Sequence, residues 1–160
     1  MKKIFFAAAA VIAGFMITAC ANTGMPDTAD DFISAFNKCA ADTDYALGAK
    51  NNTEDGTINI ATRDEDTIVY CTEIGGELSE IDITGNGIFQ PQFPAYDYMI
   101  YAVMSCDKSL DYTASGDLIA SMYYEAYVDG EPVIMAYDGI QYSFYKGAYD
   151  CRLVIDKAEE

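Results

Sequence analysis

The sequence predicts an α+β fold in which two tandem halves, each a helix followed by antiparallel hairpins, pack into one domain. Three observations predict it. Apolar residues recur at helical spacing in residues 30–45 and again in 97–112. After each stretch the period drops to two. The period-two runs are punctuated by Gly-Gly, Asp-Gly and Lys-Gly pairs, the residues that turn hairpins.

In the first half, Pro26 and Asp27 give a helix start signal, and Phe32, Ile33, Phe36, Cys39 and Ala40 form one apolar stripe. Residues 57–62, 67–74 and 78–83 then read as strands, rich in β-branched residues and separated by Arg63-Asp64-Glu65-Asp66 and by Gly75-Gly76. In the second half, Met99, Ile100, Val103, Cys106 and Leu110 repeat the helical stripe. Strands are expected at 118–128, 131–137, 140–145 and 148–156, with turns at Asp129-Gly130, Asp138-Gly139 and Lys146-Gly147. Leu118, Met122 and Ala126 would also suit a helix, so the first of these strands has an alternative. The Gly- and Pro-bearing stretch 85–94 reads as a linker between halves 27–84 and 95–160.

The halves look like a diverged duplication. A shift of 67 residues lays 30–45 on 97–112 with six identities in sixteen: Asp30/Asp97, Ile33/Ile100, Ala35/Ala102, Cys39/Cys106, Asp44/Asp111 and Tyr45/Tyr112. Ordinary composition gives about one match by chance. Convergence of two amphipathic helices, each with a core cysteine, is the competing explanation.

The N-terminus carries an address. Lys2 and Lys3 precede the uncharged apolar run Ile4 to Ala19, which at sixteen residues is short for a bilayer crossing. It ends in Ile17-Thr18-Ala19-Cys20, which resembles the bacterial lipobox: an aliphatic residue, two small ones, then the cysteine that receives lipid. The resemblance implies a lipoprotein precursor, with residues 1–19 as signal peptide, Cys20 as the lipidation site and 20–26 as a tether to a single domain spanning 27–160. An ordinary secretory signal or an uncleaved anchor are the alternatives. Ala21 stands where Asp marks inner-membrane retention in two-membrane bacteria. The expected location is therefore the cell envelope, on the outer membrane facing the periplasm if the organism has two membranes.

Cleavage there would leave 141 residues, enough for one domain with a real core, and would move the net charge from −17 to −19. So acidic a surface disfavours nucleic acid and anionic headgroups and attracts basic proteins or cations, although it also simply confers solubility. Of the five cysteines, Cys39, Cys71, Cys106 and Cys151 remain in the domain. An even number in an exported domain suggests two disulfides. A duplicated layout predicts Cys39–Cys71 and Cys106–Cys151, with Cys39–Cys106 and Cys71–Cys151 as the alternative.

The chemistry is sparse. No histidine occurs, which removes imidazole bases, Ser-His and Cys-His nucleophile pairs and imidazole metal sites. Ser105-Cys-Asp-Lys108 and Ser143-Phe-Tyr-Lys146 have the Ser-x-x-Lys spacing of penicillin-interacting enzymes but lack the companion motifs. Paired carboxylates could support hydrolysis, a remote alternative, since 26 acids make any one pair uninformative. Asn51, Thr53, Asp55 and Thr57, with Gly56 at the turn, resemble the first positions of an EF-hand calcium loop. The resemblance departs at Asn51, where Asp is usual, and at Thr62, where a bidentate Glu is usual; a polar turn is the simpler reading. No motif asks for a cofactor.

Eleven of the thirteen tyrosines follow residue 95. With Tyr123, Tyr127, Tyr137 and Tyr142 on neighbouring strands, a tyrosine-bearing sheet face bordered by Glu125, Asp129, Glu131 and Asp138 is expected to bind a partner. A core built with tyrosine is the alternative. In layout the chain is similar to the beta-lactamase inhibitory proteins, and Gly139-Ile-Gln-Tyr142 through Tyr145-Lys-Gly147 resembles the loop of membrane-bound lysozyme inhibitors. These resemblances imply a non-enzymatic, membrane-anchored lipoprotein that binds a basic protein, such as an envelope enzyme it inhibits. A structural or assembly factor of the envelope is the alternative.

Overall fold

A computed structural model describes residues 24–53, 56–86 and 94–158. Among these the chain is α+β, with three helices and one seven-stranded antiparallel sheet. Helix α1, Ala29–Cys39, begins where Thr28 accepts a hydrogen bond from the Asp31 amide, one residue beyond the Pro-Asp start signal. Asp30 and Asp31 in its first turn and Lys38 in its last complement the helix dipole. Four strands follow: β1 Lys50–Asn52, β2 Thr57–Ile60, β3 Thr67–Ile74 and β4 Glu77–Asn86. After them come α2, Pro94–Cys106, α3, Tyr112–Asp129, and the strands β5 Val133–Tyr137, β6 Ile140–Lys146 and β7 Asp150–Lys157. No helix among the described residues is long and apolar enough to cross a membrane.

Residues 118–128 are therefore not a strand. They belong to α3, which starts at the Asp111 cap, whose side chain accepts from the Ala114 amide, and ends at Gly130 in the left-handed conformation. Asp129-Gly130, read from sequence as a hairpin turn, is the end of that helix. Glycine at a positive φ serves both structures equally well.

The sheet runs β1-β2-β3-β4-β7-β6-β5, so the last strand of each run of strands, β4 and β7, pairs at the centre. Period-two patterning places Ile58, Ile60, Val69, Cys71, Ile81, Ile83, Leu153, Ile155, Tyr142 and Phe144 on one face, and the three helices cover that face. An irregularity at Thr72/Glu73 pairs Glu73 with Leu78 and keeps both on the covered side. There the Glu73 carboxylate accepts the Ala29 amide at 2.7 Å, placing negative charge on the N-terminus of α1. Gly75 and Gly76 turn β3 into β4 with both φ angles positive. At the far end of β4, a methyl group on Gly85 would lie 2.2 Å from Cβ of Ala95, so only glycine lets α2 start against the sheet.

Candidate functional site

Two of the four tyrosines singled out in the sequence lie on α3, not on the sheet. Tyr123 is half-buried, edge-on to Phe144 at 6.2 Å and stacked with Tyr127. Tyr127 is 63 % exposed, with the Lys146 ammonium 5.3 Å over its ring. Tyr142 on β6 is 1 % exposed and belongs to the core, so it offers no contact surface. Tyr137 closes the edge strand β5 and is 56 % exposed. None of the four sits on the uncovered sheet face. That face mixes Thr72, Glu80, Asp82, Thr84, Arg152 and Gln141 with Ile68, Tyr70, Val154, Tyr145 and Ile134, and Arg152 grips both Asp82 oxygens at 2.9 and 3.0 Å.

What the structure does assemble is an open end of the molecule around α3 and β5. Tyr124, Tyr127 and Val128 are exposed on α3 and Tyr137 on the helix side of β5, while Ile134, 60 % exposed, lies on the opposite, uncovered side of that strand. The border acids Glu125, Asp129, Glu131 and Asp138 are all exposed, as the sequence reading requires. Between α3, the α2–α3 connection and β5 lies a cavity of about 500 Å³ lined by Leu110, Leu118, Met135, Ala136, Tyr137 and Tyr142. The Tyr142 hydroxyl is buried without a hydrogen-bond partner, as are Asp107 Oδ2 and Ser115 Oγ. Burial, followed by charges at Cys106, Asp107 and Asp138, pushes the Tyr142 phenol well above its ordinary range.

A second polar cluster was not foreseen. Asp97, itself buried, accepts a hydrogen bond from the Tyr112 hydroxyl, and Tyr45 bonds to the same carboxylate. Burial and then that bond push the Tyr45 phenol up to about 12. Asp97, Tyr45 and Tyr112 thus tie the loop after α1 to α2 and the start of α3. Asp97 looks from sequence like an ordinary first-turn acid, and only tertiary packing buries it.

The remaining candidates separate clearly. Ser105 donates to the Ala102 carbonyl of its own helix at 2.7 Å. Ser143 and Lys146 are three residues apart on β6 and point to opposite faces, so they cannot act as a pair. In the calcium-like loop, Asp55 lies outside the described residues. Thr57 offers its carbonyl to Thr53, amide at 2.8 Å and hydroxyl at 2.6 Å, and Asn51 sits in the β1–β2 ladder. Thr53 and Thr57 thus bond to each other where strands β1 and β2 pair. Among the described residues no three Cys, Asp or Glu side chains gather in a way that could hold a metal. Cys20 and the lipobox lie outside the described residues.

Among the described residues Cys39, Cys71, Cys106 and Cys151 stand as free cysteines. Cys151 lies opposite Gly85, its Sγ 3.9 Å from the Gly85 carbonyl, at the end of the sheet where Ala95 of α2 packs. Cys106 is at the opposite end of α2, about 16 Å along the helix axis. Cys71 is four residues along β3 from Thr67, which shares Gly85 as partner, about 13 Å away along the strand. Both separations exceed what a disulfide spans, so no cysteine partner is brought to Cys151. Cys39, Cys71 and Cys106 instead gather near the C-terminal end of α2. Burial raises all four thiols, Cys106 to about 12 and Cys151 to about 11; Cys106 is raised further by charge at Asp107 and Cys39.

Raised thiols bind their protons more tightly folded than unfolded. Their stabilising contribution is complete below the ordinary thiol range and is lost as pH rises from that range through the raised folded values. Urea midpoints should therefore fall steadily from about pH 9 towards pH 11. At pH 8 a maleimide should label the partly exposed Cys39 first, and the three buried thiols only after denaturant is added. Rapid native labelling of all four would contradict this packing.

No family model, no curated protein and no solved structure matches this chain.

Proposed function

We propose that the chain is a lipid-anchored protein of the cell envelope that binds a basic protein partner and carries out no chemistry of its own, inhibition of a basic envelope enzyme being the form this would take. The reading is carried by one observation: Tyr124, Tyr127 and Val128 on α3 and Tyr137 on the neighbouring edge strand β5 are exposed in chain segments bordered by Glu125, Asp129, Glu131 and Asp138. Apolar anchors within an acidic rim suit a cationic partner, with the rim setting association rate and the anchors setting lifetime.

The anchor rests on Ile17-Thr18-Ala19-Cys20. We also read the domain as two diverged halves. In the first, α1 precedes the four antiparallel strands β1–β4; in the second, α2 and α3 precede the three strands β5–β7; the last strand of each set lies at the centre of the sheet, and Tyr45 and Tyr112, matched at the 67-residue offset, converge on Asp97. Changing Cys20→Ser should abolish lipid labelling and leave an unlipidated precursor of altered electrophoretic mobility that keeps its apolar leader. Pull-down from envelope extracts should capture a basic protein that is lost when salt is raised from about 0.15 M to 1 M. Unchanged mobility of Cys20→Ser together with normal release into the soluble fraction would refute the anchor. Salt-resistant capture of a membrane complex alone would refute the basic partner and favour an envelope assembly role.

A further inference from the structure

The two edges of the sheet are built differently. Edge strand β1 is three polar residues, Lys50–Asn52, all exposed, with Lys50 paired to Asp30 at 2.6 Å. It is short, charged and blunt, as edges that avoid pairing are. Edge strand β5 is Val-Ile-Met-Ala-Tyr, with no charge in it, and among the described residues it pairs only with β6. Its two-residue turn, Asp138-Gly139, has positive φ at both positions, which makes Tyr137 and Ile140 a hydrogen-bonded pair. Alternation then turns the N–H and C=O of Val133, Met135 and Tyr137 towards β6. Those of Ile134 and Ala136 are left pointing away, at the free edge. Pro132, at the next outward position, has no N–H and ends this ladder.

We infer that the β5 edge receives an extended, cationic segment of the partner as an eighth strand, with one apolar side chain of that segment entering the cavity beside Met135, Tyr137 and Leu118. This rests on the partner-binding reading above and specifies how the partner is held. In such strand addition the free backbone groups supply affinity, and pockets for alternate side chains supply selectivity. On the helix side of β5 the next side chain over meets the cavity of about 500 Å³. Glu131 and Asp138, both exposed, stand at the two ends of the strand, so lysine or arginine flanking the apolar anchor completes the match. A second copy fits worse. Antiparallel pairing of β5 with itself about Met135 would bring Glu131 and Asp138 of both copies together at each end, in a chain of net charge −17.

The test uses the purified full-length protein and a fluorescein-labelled peptide of sequence lysine-valine-threonine-leucine-threonine-valine-lysine, with a control in which both lysines are glutamates. The lysine peptide should bind in an anisotropy titration, and the glutamate peptide at least about tenfold more weakly. Ile134→Lys, at a solvent-exposed position that keeps the strand, should weaken binding by a similar factor at unchanged melting temperature. Ala136→Pro, which removes only an outward N–H, should do the same. Bound peptide should slow hydrogen exchange at the Ile134 and Ala136 amides. Failure of the lysine peptide to bind at about millimolar concentration, or equal binding by Ile134→Lys, overturns strand addition. If Ile134→Lys still captures the salt-sensitive envelope partner, the binding function stands and only this mode of binding falls. A concentration-dependent dimer abolished by Ile134→Lys makes the occupant a second copy and overturns the cationic strand.

Discussion

Phe36→Ala should destabilise the protein by about 3–5 kcal/mol. Phe36 is fully buried between α1, α2 and the sheet, its ring centroid 5.8 Å from each of Phe32, Tyr98 and Tyr101. Truncation removes the apolar area of the ring and also the aromatic pairings, each of which is worth about 0.5–1.5 kcal/mol. One of these neighbours is held in place: the Tyr98 hydroxyl accepts from the Arg63 amide at 3.0 Å, which opposes a swing of its ring into the vacated space. The cavity therefore stays open, which places the cost towards the upper part of the range. For a domain of this size the loss corresponds to a melting temperature lower by about 10 °C. Phe36→Leu, which keeps most of the volume, should cost under about 1.5 kcal/mol. A loss below 1 kcal/mol for the alanine variant would mean that α1 does not pack where the structure puts it.

How much of this was legible differs from element to element. The strand β3 runs over 67–74 as its alternation predicts, and Gly75-Gly76 and Asp138-Gly139 turn hairpins where they should, because positive φ at two successive residues is a local demand with few chemical solutions. The helix α3 was not legible because its stripe has weak contrast. Ile119, Met122 and Ala126 are buried, but Tyr124, Tyr127 and Val128 on the other side are large and exposed, so the period of 3.6 is blurred and the β-favouring residues dominate. That one error moved Tyr123 and Tyr127 from sheet to helix and with them the expected binding face. The border acids were legible, since Glu131 and Asp138 flank β5 in the chain itself. The free edge was not, because only the order of strands decides which of them lacks a neighbour. The placing of the cysteines was not legible for a similar reason: Cys151 and Cys106 share a half in sequence, but the length of α2 lies between them.

Tyr142 decides between the two meanings of a tyrosine-rich sequence, and its two substitutions should behave in opposite ways. Tyr142→Ala should cost about 3–5 kcal/mol, since the ring is 1 % exposed and stands in the core row formed by Cys71, Ile81 and Ile155. Tyr142→Phe removes only the hydroxyl, which is buried without a hydrogen-bond partner and therefore carries a desolvation cost with nothing to offset it. The phenylalanine variant should be as stable as the parent or more so, by up to about 1 kcal/mol. It should also be more resistant to alkali. Burial holds the Tyr142 phenol neutral in the folded state, so its contribution is intact below the ordinary tyrosine range and is lost as pH rises through it, and phenylalanine has no proton to lose. Urea melts of both variants at pH 7 and pH 10.5 measure all three effects. A Tyr142→Phe protein clearly less stable than the parent at pH 7 would show that the hydroxyl is bonded in solution, and that the floor of the cavity differs from the one described.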